Sequence, residues 1–274
     1  TGNAAPYSAL TIVSTAAWGL GYFGMPHILL RFMAIEDEKK LKLSRRVATI
    51  WVVISLFVAV FIGVIGYTMS KVGALEMLTG SNSETIIVKI SALLSQHGVI
   101  FALLAGVILA GILASTMSTS DSQLLAASSA VSSDILGAFR KDSSNKNGSM
   151  AAARITLLVI SVVAAFIARN PDSSVFAIVS FAWAGFGAAF GPVVLFSLFW
   201  KRTNKWGALA GMVCGGSMVF IWKYLIRPLG GIWNIYELLP AFLIACAAIV
   251  IVSLLTPKPS KEIEEEFDRV AQMK

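Results

Sequence analysis

The segment that decides the fold is residues 18–27, WGLGYFGMPH. It places three glycines and a proline within eight positions of an apolar stretch that runs from about residue 8 to residue 30. Proline removes a backbone hydrogen-bond donor, and each glycine weakens a helix by about 1 kcal/mol relative to alanine. An unwound segment at membrane depth must line a cavity or lie buried in protein, because its N–H and C=O groups need partners. We therefore expect either a broken helix whose backbone can hold a polar ligand or a kinked, closely packed helix.

The composition around this segment is typical of an all-α polytopic membrane protein. Of the 274 residues, 57% are hydrophobic and 14% are charged, whereas a soluble domain carries about 25% charged residues. Apolar windows of about 20 residues, long enough to cross a bilayer, recur along the chain. They predict seven spans, at 8–30, 46–69, 98–120 with its helix continuing to about 137, 151–168, 174–199, 206–226 and 235–256.

The basic residues predict the orientation of these spans. Of the 22 Lys and Arg residues, 17 fall on one side, and only Lys71, Lys89, Arg169, Lys223 and Arg227 fall on the other. By the positive-inside rule the first side is cytoplasmic, so the carboxyl terminus is expected in the cytoplasm of a cell-membrane protein. The basic residues in the loops between the spans explain the net charge of +7. The lipid bilayer is thus the expected partner, and nucleic acid is not.

Two polar parts of the chain are expected to be helical outside the spans. Residues 70–97 form the long connection, with a turn-like TGSNS and then a part-polar stretch that predicts a short surface helix. The tail after Pro257 carries four glutamates within five positions and is expected to be a solvated helix.

The third span carries a row of hydroxyl groups. Ser115, Ser118, Thr119 and Ser122 are three and four residues apart, so they share one face of the helix. Each hydroxyl could bond back to the carbonyl one turn earlier. Alternatively, the row could bind a small hard cation, which takes several neutral oxygen ligands. Asp121 beside them is expected near the cytoplasmic end, where water solvates it.

The fifth span contains residues 181–192, FAWAGFGAAFGP, in which small residues recur every three to four positions. This spacing favours tight helix packing, and the aromatic side chains could line a cavity wall.

Several enzyme chemistries lack the necessary residues. The chain has no G-x-x-x-x-G-K-[ST] loop, no H-E-x-x-H and no G-x-S-x-G motif. Its two histidines, His27 and His97, are seventy residues apart. Its two cysteines, Cys214 and Cys246, lie in apolar runs. We therefore expect no enzyme, no disulfide framework and no cofactor.

Four stretches together resemble one family. Residues 17–33, AWGLGYFGMPHILLRFM, closely resemble the seventh membrane helix of the sodium/proline symporters, a group within the sodium:solute symporter family. Three further stretches resemble this family, and they occur in the family's order along the chain. They are Met117-Ser118-Thr119 with residues 122–125, then residues 183–196, and then Ser197-Leu198 with Arg202 and residues 207–211.

The resemblance implies a LeuT-like inverted-repeat transporter of thirteen helices, of which this chain would supply helices seven to thirteen. Residues 1–200 would then form the second inverted repeat, with five spans and the first one broken near 18–26. Residues 201–256 would form two peripheral spans and residues 257–274 the cytoplasmic tail.

The resemblance also implies site residues and a function. The solute would contact Trp18, Tyr22 and Pro26, and sodium would contact the hydroxyls of Ser118 and Thr119 with a backbone ligand at Ser115. The family completes its sodium site from its second helix, which would lie in a missing amino-terminal half. The implied function is sodium-coupled uptake of L-proline by alternating access, with sodium as the coupling ion and no other cofactor.

Two alternatives stay open at this point. The solute could be another small molecule, such as pantothenate, a different amino acid or a carboxylate. A seven-helix receptor or photosensor has the same number of spans, although the sequence offers no external cysteine pair for it.

Overall fold

A computed structural model describes residues 7–37, 39–135, 146–169 and 174–272, with the backbone alone for 146–149. Regular structure in these ranges is entirely helical, which confirms the all-α fold for the described residues. The chain divides into two compact units. One unit contains Thr1–Arg31 and Ile178–Lys274, and the other contains Phe32–Ala177.

The first predicted span consists of three short helical pieces. Helix α1 (Ala9–Ala16) begins at Ser8, whose hydroxyl oxygen accepts a hydrogen bond from the backbone N–H of Thr11. A 3-10 helix follows at Ala17–Gly24, and α2 runs over Pro26–Met33. Between them, Met25 has an extended backbone, with φ −84° and ψ 113°. We call residues 17–25 the interrupted segment.

Within the described residues, six further helices are long and apolar enough to cross a membrane. They correspond to the six other predicted spans, but some extend beyond the apolar windows because Lys and Arg are themselves good helix formers. The helices are α3 (Lys40–Lys71), α5 (Val99–Ser129), α6 (Lys146–Ile167), α7 (Val175–Phe199), α8 (Lys205–Ile221) and α9 (Leu238–Leu255). Helix α5 continues as a π-helix over Ala130–Ile135, and the predicted continuation at 136–137 lies outside the described residues.

The unit formed by Phe32–Ala177 contains the long connection, and the expected surface helix is α4 (Ile86–Leu94). Just before α4, Glu84 caps the start of α7. One of its carboxylate oxygens accepts from the Ser174 hydroxyl at 2.6 Å, and the other accepts from the backbone N–H of Val175 at 3.0 Å. The connection is thereby attached to a helix ninety residues further along the chain.

In the other unit, α8 and α9 pack along a row of glycines spaced four residues apart. A Cβ atom at Gly211 would overlap the Ile249 side chain, and one at Gly207 would overlap the Ser253 hydroxyl. At Gly215 it would overlap the Ala188 carbonyl on α7. The absence of side chains at these positions allows the helices to approach closely.

The segment between α8 and α9 is a series of short turns. A π-helix at Trp222–Ile226 is followed by 3-10 turns at Arg227–Leu229 and Gly231–Asn234. Two glycines in this segment, Gly230 and Gly231, have positive φ angles of 74° and 58°, a conformation that favours glycine.

The tail forms the expected charged helix, α10 (Lys261–Gln272). Its connection to α9 is fixed by Arg202, which donates to the Thr256 carbonyl at 2.8 Å. Lys201 forms an exposed ion pair with Asp268 of α10 at 2.6 Å. The hydrogen bond that its ammonium donates to Asp268 raises the pKa of Lys201 above its ordinary value.

Candidate functional site

The interrupted segment lies directly on α7 because it has no side chains at two contact points. A Cβ at Gly21 would overlap the indole of Trp183, and one at Gly24 would overlap the Phe186 carbonyl. On the facing helix, a Cβ at Gly187 would lie 2.7 Å from the Gly21 Cα. The segment is therefore both unwound from the α-helical form and closely packed, so it combines the two structures expected from the sequence.

Trp18 is held on α7 through its ring and its backbone. Its ring stacks with that of Trp183, with centroids 5.5 Å apart and an interplanar angle of 17°. The Trp183 indole N–H also donates to the Trp18 carbonyl at 2.9 Å. Both the ring and the backbone carbonyl of Trp18 are therefore engaged by Trp183.

Tyr22 and Pro26 are the more accessible members of the predicted solute site. The Tyr22 ring meets Trp183 edge to face, with centroids 4.8 Å apart, and its side chain is 51% exposed. Pro26 is exposed at the first position of α2, where a missing N–H costs no helical hydrogen bond. The structure brings Trp18, Tyr22 and Trp183 into one aromatic cluster.

In the hydroxyl row of α5, Ser115, Ser118 and Thr119 are exposed and Ser122 is half-buried, and part of the row bonds back to its own helix. Thr119 Oγ1 donates to the Ser115 carbonyl at 3.2 Å, and Ser122 Oγ donates to the Ser118 carbonyl at 3.0 Å. Within the described ranges, the Ser118 hydroxyl donates no hydrogen bond. Asp121 beside the row is exposed, as expected. The predicted sodium ligands Ser115 and Thr119 are thus in contact with each other, and Ser118 adds a free hydroxyl.

The predicted site residues fall in different units. Trp18, Tyr22 and Pro26 belong to the unit with Thr1–Arg31, whereas Ser115, Ser118 and Thr119 belong to Phe32–Ala177.

Four small residues of 181–192 are buried, as tight packing predicts, and three phenylalanines of the same stretch line an apolar groove. The buried residues are Ala184, Gly187, Ala188 and Gly191, and the phenylalanines are Phe181, Phe186 and Phe190. The groove has a volume of about 290 Å³ and lies between α7 and α8. The Lys223 ammonium sits 3.7 Å from the centre of the Phe181 ring, which is part of the lining. An apolar lining offers no partner for the charged groups of an amino acid, so this groove is not the candidate solute site.

The family model of the sodium:solute symporters matches residues 3–215. The chain belongs to the sodium:solute symporter family. A member of this family whose described residues include six long apolar helices is a multi-pass membrane protein and not an enzyme.

Relatives within the family match nearly the whole chain. A "Sodium/proline symporter" of Haemophilus influenzae is 41% identical over 95% of this chain and 51% of the relative. An "Osmoregulated proline transporter OpuE" of Bacillus subtilis is 39% identical over 93% of the chain and 50% of the relative. A "Sodium/proline symporter" of Escherichia coli is 39% identical over 94% and 50%. The chain therefore spans about half the length of the curated relatives it matches, and no solved structure matches it.

The sequence did not identify every residue that the structure places around Trp18. Trp183 was visible only as one of several aromatics in the fifth span. Tyr236 stacks on Trp18 with centroids 5.9 Å apart, although the two residues lie more than two hundred positions apart. A single aromatic residue at the start of a span resembles an ordinary interfacial residue, so no local pattern could have indicated this contact.

Proposed function

We propose that this chain forms part of a sodium-coupled L-proline symporter that works by alternating access. It would do so together with helices equivalent to the amino-terminal half of its relatives. The three relatives named above are proline transporters by name, two of them sodium/proline symporters, and each matches more than nine-tenths of the chain. The interrupted segment carries the proposal, because helices that unwind at membrane depth form the solute sites of secondary transporters.

We further propose the domain arrangement that the family implies. Residues 1–200 would form the second inverted repeat, residues 201–256 two peripheral spans and residues 257–274 a cytoplasmic tail. The protein would lie in the cell membrane with its carboxyl terminus in the cytoplasm, which the distribution of basic residues supports.

The proposed proline site is the exposed side of the interrupted segment. In this proposal proline contacts Trp18, Tyr22 and Pro26: the Tyr22 ring is half exposed, the Trp18 ring belongs to the same aromatic cluster, and Pro26 begins the helix that follows. In support, Tyr22 is half exposed while its ring is held edge-on against Trp183.

The proposed sodium site is the hydroxyl row of α5. Ser118 and Thr119 would supply hydroxyl oxygens and Ser115 a backbone carbonyl, with the remaining ligands from helices outside this chain. Oxygen ligands without a carboxylate bind a hard cation weakly enough to release it during transport. In support, Ser115, Ser118 and Thr119 are exposed, and the Ser118 hydroxyl donates no hydrogen bond to any of the described residues.

Uptake by the complete transporter in proteoliposomes tests this function. We expect accumulation of labelled L-proline when sodium is higher outside, and no accumulation when potassium replaces sodium or an ionophore removes the gradient. The Tyr22→Ala variant should need roughly 5- to 150-fold more proline for half-maximal uptake, since one aromatic contact is worth about 1–3 kcal/mol. Sodium-driven uptake of pantothenate or another amino acid, without proline uptake, would contradict the assigned solute.

A further inference from the structure

Tyr236, just before the last span, contacts the interrupted segment and both helices beside it. Its backbone N–H donates to Ser14 Oγ of α1 at 3.1 Å, and its hydroxyl donates to the Ser180 carbonyl of α7 at 2.6 Å. Its ring stacks on Trp18 at an interplanar angle of 16°. Tyr236 is 9% exposed, so these contacts lie in the interior of the unit. Tyr236 therefore links α7 and Trp18 through its side chain, and α1 through its backbone, to the start of α9.

The residue after Tyr236 is fixed by an ion pair. The Glu237 side chain is 1% exposed and accepts a hydrogen bond from Arg227 at 2.8 Å. Arg227 also donates through Nε to the Asn234 side chain at 3.0 Å. A carboxylate buried this deeply depends on its partner, since losing the partner leaves an uncompensated charge. The ion pair thereby fixes the backbone from which Tyr236 projects.

The aromatic contacts continue from Tyr236 to the exposed side of the interrupted segment. Tyr236 stacks on Trp18, Trp18 stacks on Trp183, and Trp183 meets the edge of Tyr22. Moving the first ring therefore changes the support of Trp18 directly and of Tyr22 through Trp183.

We propose that Tyr236 is a positioning residue for the solute site. It sets the ring of Trp18 without itself contacting the solute, as supporting residues around a binding site do. This rests on the proposed function in so far as Trp18 and Tyr22 line the solute site. On this proposal the last span, expected to be peripheral, takes part in solute recognition.

Equilibrium proline binding to the purified complete transporter at saturating sodium tests the proposal, with values normalised to folded protein. Tyr236→Leu removes the ring and the hydroxyl, and should raise the dissociation constant about tenfold. Tyr236→Phe keeps the ring, loses only the bond to Ser180, and should raise it by a factor of about 2 to 5. Tyr224→Leu is the matched control, since Tyr224 is 61% exposed and its ring meets Phe181 edge to face instead of contacting Trp18.

A double-mutant cycle separates positioning from general destabilisation. In a Trp18→Ala background, Tyr236→Leu should no longer change the dissociation constant, because its effect passes through the missing ring. If the factors by which Trp18→Ala and Tyr236→Leu each raise the dissociation constant multiply in the double variant, Tyr236 does not act through Trp18 and the proposal is wrong. Should Tyr236→Leu fail to fold, the same cycle is run with Tyr236→Phe.

A labelling experiment without proline tests the positioning role of Tyr236 separately from the proposed transport function. In a complete transporter otherwise free of cysteine, Tyr22→Cys is labelled with a small maleimide in the absence of proline and sodium. We expect Tyr236→Leu to change the labelling rate severalfold and Tyr224→Leu to leave it unchanged. This result stands even if the wild-type protein binds no proline, in which case the assigned function alone fails. Unchanged labelling together with unchanged proline affinity would overturn the positioning role.

Discussion

At the scale of single residues, Thr119 and Thr116 make the same hydrogen bond within α5, but only Thr119 is a proposed sodium ligand. Each threonine donates its hydroxyl to the carbonyl four residues earlier, Thr119 to Ser115 at 3.2 Å and Thr116 to Ile112 at 2.9 Å. The two hydroxyls lie three positions apart, so they are matched in type and in position along α5. Their substitution therefore isolates the effect of the proposed ion site from that of a lost helical back-bond.

We expect Thr119→Ala and Ser118→Ala to raise the sodium concentration for half-maximal proline uptake by the complete transporter. A hydrogen-bond-type contact to a charge is worth about 1.5–3 kcal/mol, or roughly 10- to 150-fold. Proline affinity at saturating sodium should change much less, and Thr116→Ala should leave the sodium dependence as it is. Equal sodium dependence in all three variants and the wild type would mean that the hydroxyls only bond to their own helix.

The cap that Glu84 forms at the start of α7 is expected to depend on pH. The hydrogen bond from the Ser174 hydroxyl, with those from the N–H groups of Phe176 and Val175, holds the pKa of Glu84 below its ordinary value. A lowered pKa in the folded protein means that the cap stabilises above the ordinary pKa of about 4.3 and is lost as pH falls through the folded value. Hydrogen exchange of the amides of 174–177 in wild type and Glu84→Gln should differ at pH 7 and converge in acid. Glu76→Gln, in the same connection, is the control and should match the wild type at every pH.

The sequence predicted the interruption of the first span because the residues that cause it are close together in the chain, whereas the solute contacts of Trp18, Tyr22 and Pro26 stay a prediction from the family resemblance. Gly19, Gly21, Gly24 and Pro26 are all local to Trp18 and Tyr22. The contact with Tyr236 depends on how distant helices pack, which no pattern within one span encodes.

At the scale of helices, two adjacent glycines of α8 lie on different faces, one packed against other helices and one with room for a methyl group. A Cβ at Gly215 would overlap the Ala188 carbonyl and lie 3.0 Å from the Ala245 Cβ. At the adjacent Gly216 the nearest atom would be the Ala189 Cβ at 3.9 Å, an ordinary van der Waals distance. The two positions share a helix and a residue type, so their difference comes from packing.

We predict opposite effects of alanine at these two positions. Gly215→Ala should lower stability by about 1–3 kcal/mol through overpacking, less the gain in helix propensity. Gly216→Ala should be neutral or raise stability by up to about 1 kcal/mol. Thermal unfolding of the complete protein in detergent measures both, and equal midpoints for the two variants would contradict the packing of α8 on α7 and α9.

Helix positions were predictable because a bilayer imposes a minimum apolar length, but helix ends were not. The second span was predicted at 46–69, whereas α3 begins at Lys40 and ends at Lys71. Charged residues end an apolar window without ending a helix, so apolar length alone places the span and leaves its ends open.

At the scale of the whole molecule, the unit formed by Phe32–Ala177 has little interior. In the most apolar windows of α3 and α6 no residue is buried, and in that of α5 only 6% are. Apolar faces of this extent need lipid or further protein to cover them. The hydroxyl row lies on one of these uncovered helices.

We therefore predict that the 274-residue chain alone, reconstituted in liposomes, shows no sodium-driven proline uptake. Half of the proposed repeat pair and part of the proposed ion site are absent from it. The complete transporter in the same liposomes is the positive control, and gradient-dependent uptake by the chain alone would refute the prediction.

The hydrogen bond between Tyr236 and Ser14 can form only late in the synthesis of the chain. Its two residues are 222 positions apart, and a ribosome adds about 5–20 residues per second. Ser14 therefore leaves the ribosome on the order of 10–45 seconds before Tyr236 is made. During that interval the interrupted segment lacks the last of its final neighbours, whereas α8 and α9 are close in sequence and can pair soon after synthesis. The segment assigned to the solute is thus made before the helices of 178–274 in its unit and is among the last parts of the unit to mature.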